Sequence, residues 1–248
     1  MIGPVYESGN IKIILIKNYC LQDNKNNMLK VMKVKLLFIA FIKLLEGPAM
    51  ARSLKEYEKK RDFSKTTEPT SKKTKKSKNT VFVIQKHEAS RLHYDFRLEI
   101  NGVLVSWAIP KGPSLNSADK RLAVMTEDHP MDYRNFEGVI PKDEYGGGTV
   151  MIWDYGTYKN IREKDGKIIP MEQCLNDGKI EIFIKGKKIE GAFALIRMRG
   201  KDSKNWLLIK ENDEFASKTV NPVNTKTKSA KTDRTMNQIA KDEEQYND

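Results

Sequence analysis

The sequence predicts an all-β fold, an antiparallel barrel or sandwich with one or two short helices and disordered terminal extensions. Three observations carry that prediction. Eight short runs rich in β-branched and aromatic residues follow one another between residues 80 and 210, with turn signals between them. Asn101-Gly102 joins two of these runs and is a strong signal for a two-residue hairpin. No regular alternation of strand and helix appears, which argues against a doubly wound α/β architecture.

In chain order, residues 1–49 come first and read as an extension of unassigned role, because "MARSLKEYEKKRDF" from Met50 looks like a natural start. Their apolar run "LLFIAFI", Leu36–Ile42, is bracketed by Lys33, Lys35 and Lys43. It is far shorter than the ~18–20 residues that a membrane span needs. No signal peptide is read, because no convincing small-residue cleavage site follows. Residues 50–80 form a basic arm. "ARSLKEYEKK" has helix-forming composition but is too short to hold a helix alone, and "SKKTKKSKNT" (71–80) is a lysine-rich linker expected to be extended and mobile. The body, 81–216, holds the expected strands at 80–85, 92–100, 103–109, 121–126, 149–155, 179–186, 191–198 and 206–210. "PMEQCLNDGK" (170–179) supplies a short helix ending at Gly178. The tail, 217–248, has no periodic core and is expected to be disordered.

Charge is distributed unevenly. The chain carries a formal +12, yet residues 1–80 hold 18 Lys+Arg against 7 Asp+Glu, while 81–216 hold 21 of each. A balanced body behind a basic leader points to a polyanionic partner met through the arm, or to a solubilising lysine tail. Cys20 and Cys174 form no CxxC and no disulfide framework, which fits a reducing compartment; a cytoplasmic location is expected.

The chemistry concentrates in "QKHEASRLHYDFRLEI" (85–100). Read as a strand, "LHYDFRLEI" points Leu92, Tyr94, Phe96, Leu98 and Ile100 to the core and His93, Asp95, Arg97 and Glu99 to the other face. His93 and Asp95 then lie close enough to share a cation, and His87 can supply a third ligand after a turn. Two imidazoles and a carboxylate leave coordination positions open, as a catalytic metal requires. Arg97 presents a fork to an anion beside them. The bland alternative is the polar outer face of any amphipathic strand. Against it, all three histidines of the chain, His87, His93 and His129, fall between residues 87 and 129. His129 in "EDHPMDY" is placed to face the same cavity as Tyr133. Gly146–Gly148 reads as a tight turn rather than a phosphate cradle. For Lys111, in a Pro/Gly-framed loop, spacing does not separate a phosphate contact from a surface lysine.

"HEASRLHYDFRLE", "SWAIPKGPS", "KRLAVMTEDHPMDY" and "EGVIPKDEYGGGTVMIWDYGTY" closely resemble the 3′-phosphoesterase module of bacterial DNA ligase D, from about Tyr57 to about Glu211. Related free-standing proteins occur in bacteria and archaea. With no room for a ligase or primase-polymerase module in the remaining residues, the free-standing form is expected. The resemblance implies a compact β-barrel and a manganese-dependent enzyme. Its members trim a terminal ribonucleoside from a primer strand and then remove the remaining 3′-phosphate, conditioning ends during break repair by non-homologous end joining. It implies His87, His93 and Asp95 as metal ligands, and Arg97, His129 and Tyr133 around the scissile phosphate. Gln85, Lys111 and Arg121 fall at positions lining the same pocket, and Arg61, Asp62 and Glu68 at positions used functionally in the arm. The arm is expected to fold over the site when nucleic acid arrives. Asp143 stands where the pattern has glycine. Implied partners are DNA or DNA/RNA primer-template 3′ ends, together with a DNA ligase, a polymerase or an end-binding protein; no membrane partner is implied, and the module is expected to act as a monomer. Two rivals remain: a non-catalytic nucleic-acid clamp, and an iron oxygenase built on His93, Asp95 and His129 that leaves His87 without a role.

Overall fold

The computed structural model describes residues 2–8, 11–16, 53–71, 80–199 and 204–246. The apolar run 36–42, the start at Met50 and most of the lysine linker lie outside the described residues. Two units are distinguished, Met1–Pro48 and Ala49–Asp248. In the first, β1 (Ile2–Ser8) and β2 (Ile11–Ile16) pair as an antiparallel hairpin, which the sequence reading does not anticipate.

The second unit begins with α1 (Lys55–Lys59), then runs through β3 (Val81–Glu88), β4 (Leu92–Ile100), β5 (Val103–Ile109) and β6 (Lys120–Met125). A 3-10 helix (Met131–Asn135) leads to β7 (Gly138–Ile140) and the long β8 (Gly148–Asn160). The small hairpin of β9 (Glu163–Lys164) and β10 (Lys167–Ile168) precedes α2 (Met171–Asp177). Finally come β11 (Lys179–Gly186), β12 (Glu190–Arg197), β13 (Asn205–Lys210), α3 (Pro222–Thr225) and α4 (Met236–Tyr246). All eight expected strands are present, as is the short helix, which ends on Gly178 in the left-handed region at φ 75°. The hairpin at Asn101-Gly102 also forms, with φ of 55° and 84°.

The sheet closes into an antiparallel barrel. Its order is β11-β12-β13-β6-β5-β4-β3-β8, with β8 pairing back onto β11. Closure depends on β8, whose thirteen residues serve two neighbours. Thr149–Thr157 pair with β3, and Gly156–Asn160 pair with β11. A bulge at Trp153, opposite Ile84/Gln85, bends the strand within its β3-paired stretch, just ahead of its pairing with β11. The interior is filled by Phe82, Ile84, Tyr94, Phe96, Leu98, Trp107, Trp153, Ile182, Phe193 and Trp206.

The inward face of β4 is the one the alternation predicts from Tyr94 to Ile100, while Leu92, at the mouth of the β3–β4 hairpin, is exposed; the polar face is not wet. Asp95, Arg97 and Glu99 are buried as well. A second apolar cluster of Tyr57, Leu104, Met131, Tyr133, Phe136, Ile140 and Val150 lies outside the barrel wall. It seats the arm and the 3-10 helix over that face. The glycine run is a turn against β3: a Cβ on Gly148 would meet the Glu88 carbonyl oxygen at 2.1 Å. Asp143 sits exposed in that turn and is not among the residues with positive φ, so glycine is not required there.

The tail 217–248 is a correction to the expected disorder: its described residues, to 246, form two helices that pack on the barrel. Met236 and Ile239 join the barrel's apolar core. Thr235 and Gln238 form a capping box, Gln238 N–H donating to Thr235 Oγ1 at 3.3 Å and Thr235 N–H to Gln238 Oε1 at 2.9 Å. Arg234 and Ser229 bind Glu137 at 3.0 and 2.6 Å. Few apolar anchors in a polar stretch leave no periodic signal, although the T-x-x-Q spacing was readable. Ile239→Ala should therefore destabilise the fold by about 2–5 kcal/mol in urea titration, as for a buried aliphatic residue. Val220→Ala, at an exposed position, should leave the midpoint unchanged. Equal midpoints for both variants would show that the tail does not pack.

Candidate metal centre

The β3–β4 hairpin sets His87 directly opposite His93 and Gln85 opposite Asp95. The imidazole centroids are 4.8 Å apart. One ligand atom from each of His87, His93 and Asp95 lies within 4.8 Å of the others. Backbone carbonyls fix both rings. His87 Nε2 is 2.8 Å from the Gly146 carbonyl, and His93 Nδ1 is 2.8 Å from the Arg91 carbonyl. A carbonyl only accepts, so those nitrogens carry the hydrogens. The opposite nitrogens, His87 Nδ1 and His93 Nε2, then face Asp95 Oδ2 at 3.5 and 3.7 Å.

Two imidazole lone pairs and a carboxylate aimed at one point need positive charge between them. A proton serves in part. Burial alone would lower the His93 pKa, but Asp95 outweighs it and the pKa is raised. Burial would raise that of Asp95, but Arg97, His87 and His93 outweigh it and hold the carboxyl well below its usual range. A divalent transition metal serves better, and the N,N,O donor set with outer hydrogen bonds on both rings fits one.

Arg97 stands behind the cluster. Its Nη2 donates to Asp95 Oδ2 at 3.1 Å, Nε to Gln85 Oε1 at 2.7 Å and Nη1 to Ser106 Oγ at 2.9 Å. Of five guanidinium hydrogens, these bonds leave one on Nη2 free and one on Nη1 turned toward His129 Nδ1, 2.9 Å away. Gln85 is itself pinned by the Tyr133 and Phe136 carbonyls at 3.1 and 2.8 Å. The guanidinium lies 4.8 Å from the centre of the Tyr133 ring. His129 is locked to β5 by two backbone bonds with Leu104, at 2.8 and 2.9 Å. Its Nδ1 lies 2.9 Å from the Glu127 carbonyl and 2.9 Å from Arg97 Nη1, and its Nε2 lies 3.3 Å from Arg61 Nη2. With a hydrogen on Nδ1 the ring donates to the Glu127 carbonyl and accepts from Arg61 at Nε2; with it on Nε2 the ring accepts from Arg97 at Nδ1 instead.

The arm supplies the lid. Arg61 stacks on Tyr57 at 3.9 Å and donates from Nε to Glu68 Oε1 at 2.8 Å and from Nη1 to Glu127 Oε1 at 3.2 Å. Tyr133 Oη donates to the same Glu68 oxygen at 2.8 Å. Under this lid Arg97, His129 and Tyr133 are only 3%, 4% and 2% exposed.

Of the twelve site residues the sequence reading names, nine converge: His87, His93, Asp95, Arg97, Gln85, His129, Tyr133, Arg61 and Glu68. Asp62 does not join them; it is exposed and caps a turn through Ser64. Lys111 and Arg121 line a separate cavity of about 360 Å³ with Pro110, Asp119, Lys120 and Leu122, and Arg121 is tied to Asp119 at 2.8 Å. Sequence reasoning missed Ser106, Glu127, Tyr57 and the Gly146 carbonyl. Ser106, Glu127 and Gly146 lie inside the quoted motifs and Tyr57 at the start of the resemblance, but spacing gave none of them a role in the site.

Burial, then the positive charges of Arg97 and Arg61, hold the His129 pKa well below 6.5. Because the folded value lies under the unfolded one, this histidine costs stability as pH falls below about 6.5, and the cost disappears above it. In imidazole nitrogen NMR of the metal-free protein, His129 should stay neutral well below pH 6.5. Titration at an ordinary value would show that the two guanidiniums do not face it in solution.

Residues 85–197 match the family model of the DNA ligase D 3′-phosphoesterase domain. A multifunctional non-homologous end joining protein LigD from Pseudomonas aeruginosa is 47% identical over 167 residues, which is 66% of this chain and 19% of that protein. The protein of that name from Mycolicibacterium smegmatis is 46% identical over 169 residues, 66% of this chain and 21% of the relative. The multifunctional non-homologous end joining DNA repair protein LigD from Mycobacterium tuberculosis is 47% identical over 153 residues, 61% of this chain and 19% of the relative. The chain thus spans about a fifth of the length of these relatives. Among the described residues, no helix is long and apolar enough to cross a membrane.

Proposed function

Because residues 85–197 form a domain of the DNA ligase D 3′-phosphoesterase family, we propose that this protein is a metal-dependent 3′-end-healing hydrolase. It removes 3′-terminal ribonucleosides and then 3′-phosphates from primer strands, leaving hydroxyl ends for repair synthesis and ligation. In this reading 81–216 are the catalytic barrel and 50–80 its arm, acting in the cytoplasm as a monomer on ends passed to a ligase, a polymerase or an end-binding protein.

The observation that carries the reading is the convergence of His87, His93 and Asp95 beside a buried arginine whose Nη2 keeps one donor free. Manganese held by those three would polarise a phosphoryl oxygen as a Lewis acid. The free Arg97 donor neutralises charge on the phosphate's equatorial oxygens, in a site dry enough to make that count. The arm lifts to admit a 3′ end and closes over it, bringing Arg61 to the same phosphate. His129 is neutral between two guanidiniums until the phosphate's negative charge offsets them. It then takes up a proton and passes it to the departing oxygen. The oxygenase arrangement finds no support, since His129 sits between two cations, which would repel a metal ion, and the cluster uses His87 instead.

The test is a 5′-labelled primer–template ending in one 3′-ribonucleotide, incubated with manganese beside a His93→Ala control. Stepwise shortening to a 3′-phosphate and then a 3′-hydroxyl, lost in the variant, is expected. Intact substrate despite demonstrated metal and DNA binding would favour the clamp.

A further inference from the structure

Beside the site, on the other side of the 3-10 helix, the outer wall of the barrel carries a cleft of about 360 Å³. Val81 and Val83 of β3 and Ile152, Tyr155 and Gly156 of β8 form its floor, and Arg134, Asn135 and Lys231 rise around it. Tyr155 is 36% exposed there.

The charge around this floor has one sign. Among the described residues the Arg134 guanidinium has no ion-pair or hydrogen-bond partner. Lys231 Nζ is held only by the Asn135 carbonyl at 3.2 Å, and the exposed Lys187 lies 6.0 Å from the Tyr155 ring. No residue lining the cleft is acidic. The neighbouring carboxylates are already engaged. Asp154 accepts the backbone N–H groups of Tyr155, Lys187, Lys188 and Ile189, and Glu137 is paired with Arg234. Asp132, on the 3-10 helix, is exposed and does not line the cleft. An aromatic platform rimmed by unneutralised cations is the arrangement that binds nucleic-acid strands with little sequence preference.

Position ties the cleft to the reaction. Arg134 follows Tyr133 on the same short helix. Val83 precedes Gln85 by two residues on one face of β3, a separation of roughly 7 Å. That is a nucleotide or two at ~3.4 Å per nucleotide of a duplex strand.

We propose that the cleft holds the nucleotides just inside the reacting 3′ end, one base stacked on Tyr155 and the flanking phosphates neutralised by Arg134, Lys231 and Lys187. The inference rests on the 3′-end phosphoesterase reading and names how that site grips its strand.

The test compares the wild type with Tyr155→Ala and with the double variant Arg134→Ala/Lys231→Ala. Two readouts are used: manganese-supported turnover of the primer–template, and binding of the same fluorescein-labelled duplex across a salt series. Tyr155→Ala should raise KM roughly tenfold with kcat retained. The double variant should lower the slope of log affinity against log salt by about 2. Both variants should hydrolyse a nucleoside 3′-monophosphate, too short to reach the cleft, like the wild type. Unchanged KM and salt slope in an active enzyme would overturn the cleft. A wild type that binds DNA but turns over nothing would instead overturn the phosphoesterase reading, and the salt slopes would still decide the cleft.

Discussion

Asp95→Asn is expected to abolish tight manganese binding and to cut turnover by at least about 100-fold, since loss of an outer-shell partner alone costs 10- to 100-fold. Asp95 is the one carboxylate in the three-residue cluster and the atom on which both free imidazole nitrogens converge. Asparagine keeps the volume but removes the charge. It also strips Arg97 of its nearest anion, at 3.1 Å, so the guanidinium is held by Gln85 and Ser106 alone. Breaking a buried ion pair from one side costs about 3–5 kcal/mol, and the variant's thermal midpoint must be measured beside its activity. His93→Ala separates the two effects, because its side chain is 22% exposed and anchors no buried cation. Electron paramagnetic resonance of free manganese should show both variants failing to deplete the ion at concentrations where the wild type does. Wild-type depletion and turnover in Asp95→Asn would remove this cluster from the mechanism.

The reason this cluster was legible is that it is local. His87 and His93 stand opposite one another across a single hairpin, and period-two alternation puts Asp95 and Arg97 on the face of His93. The barrel strands were legible on the same basis. What escaped is joined through tertiary contacts. Ser106 reaches Arg97 because β5 lies beside β4, Gly146 reaches His87 from a turn before β8, and Glu127 reaches Arg61 across 66 positions of sequence. The burial of the polar face of β4 was equally hidden, since it depends on an arm that looks mobile when read alone. The tail was missed for the opposite reason, its packing resting on a few anchors among polar residues.

That arm is the second place where a single change should act strongly. Arg61→Ala should detach it while the barrel remains folded. The Arg61 side chain is 4% exposed and that of Glu68 is 0% exposed, so removing the cation strands a buried carboxylate, at a cost of about 3–5 kcal/mol. α1 has five residues, too few to persist alone, and the anchors that remain are the buried Tyr57 ring with its hydroxyl bond to the Pro69 carbonyl at 2.5 Å, the Tyr133–Glu68 bond at 2.8 Å, the more exposed Lys60–Glu127 and Lys65–Glu144 pairs, and the packing of Leu54 and Phe63. Local opening therefore precedes global unfolding. Trypsin should cut the variant quickly at Lys59, Lys60 and Lys65, while the barrel's thermal midpoint moves little. Glu68→Gln should loosen the arm less, because Arg61 keeps Glu127 at 3.2 Å, and a double-mutant cycle between Arg61 and Glu68 should give a non-zero coupling energy. Losing Arg61 also removes one of the two cations that hold His129 neutral, so the His129 titration should move upward in the variant. Turnover of the primer–template should fall by about 100-fold, the scale of losing one preorganised charge at the reacting phosphate. The sign of that change separates two roles for the arm. A fall marks Arg61 as part of the grip on the phosphate, whereas a rise with the same protease sensitivity would make the arm a plain cover whose removal exposes a complete site.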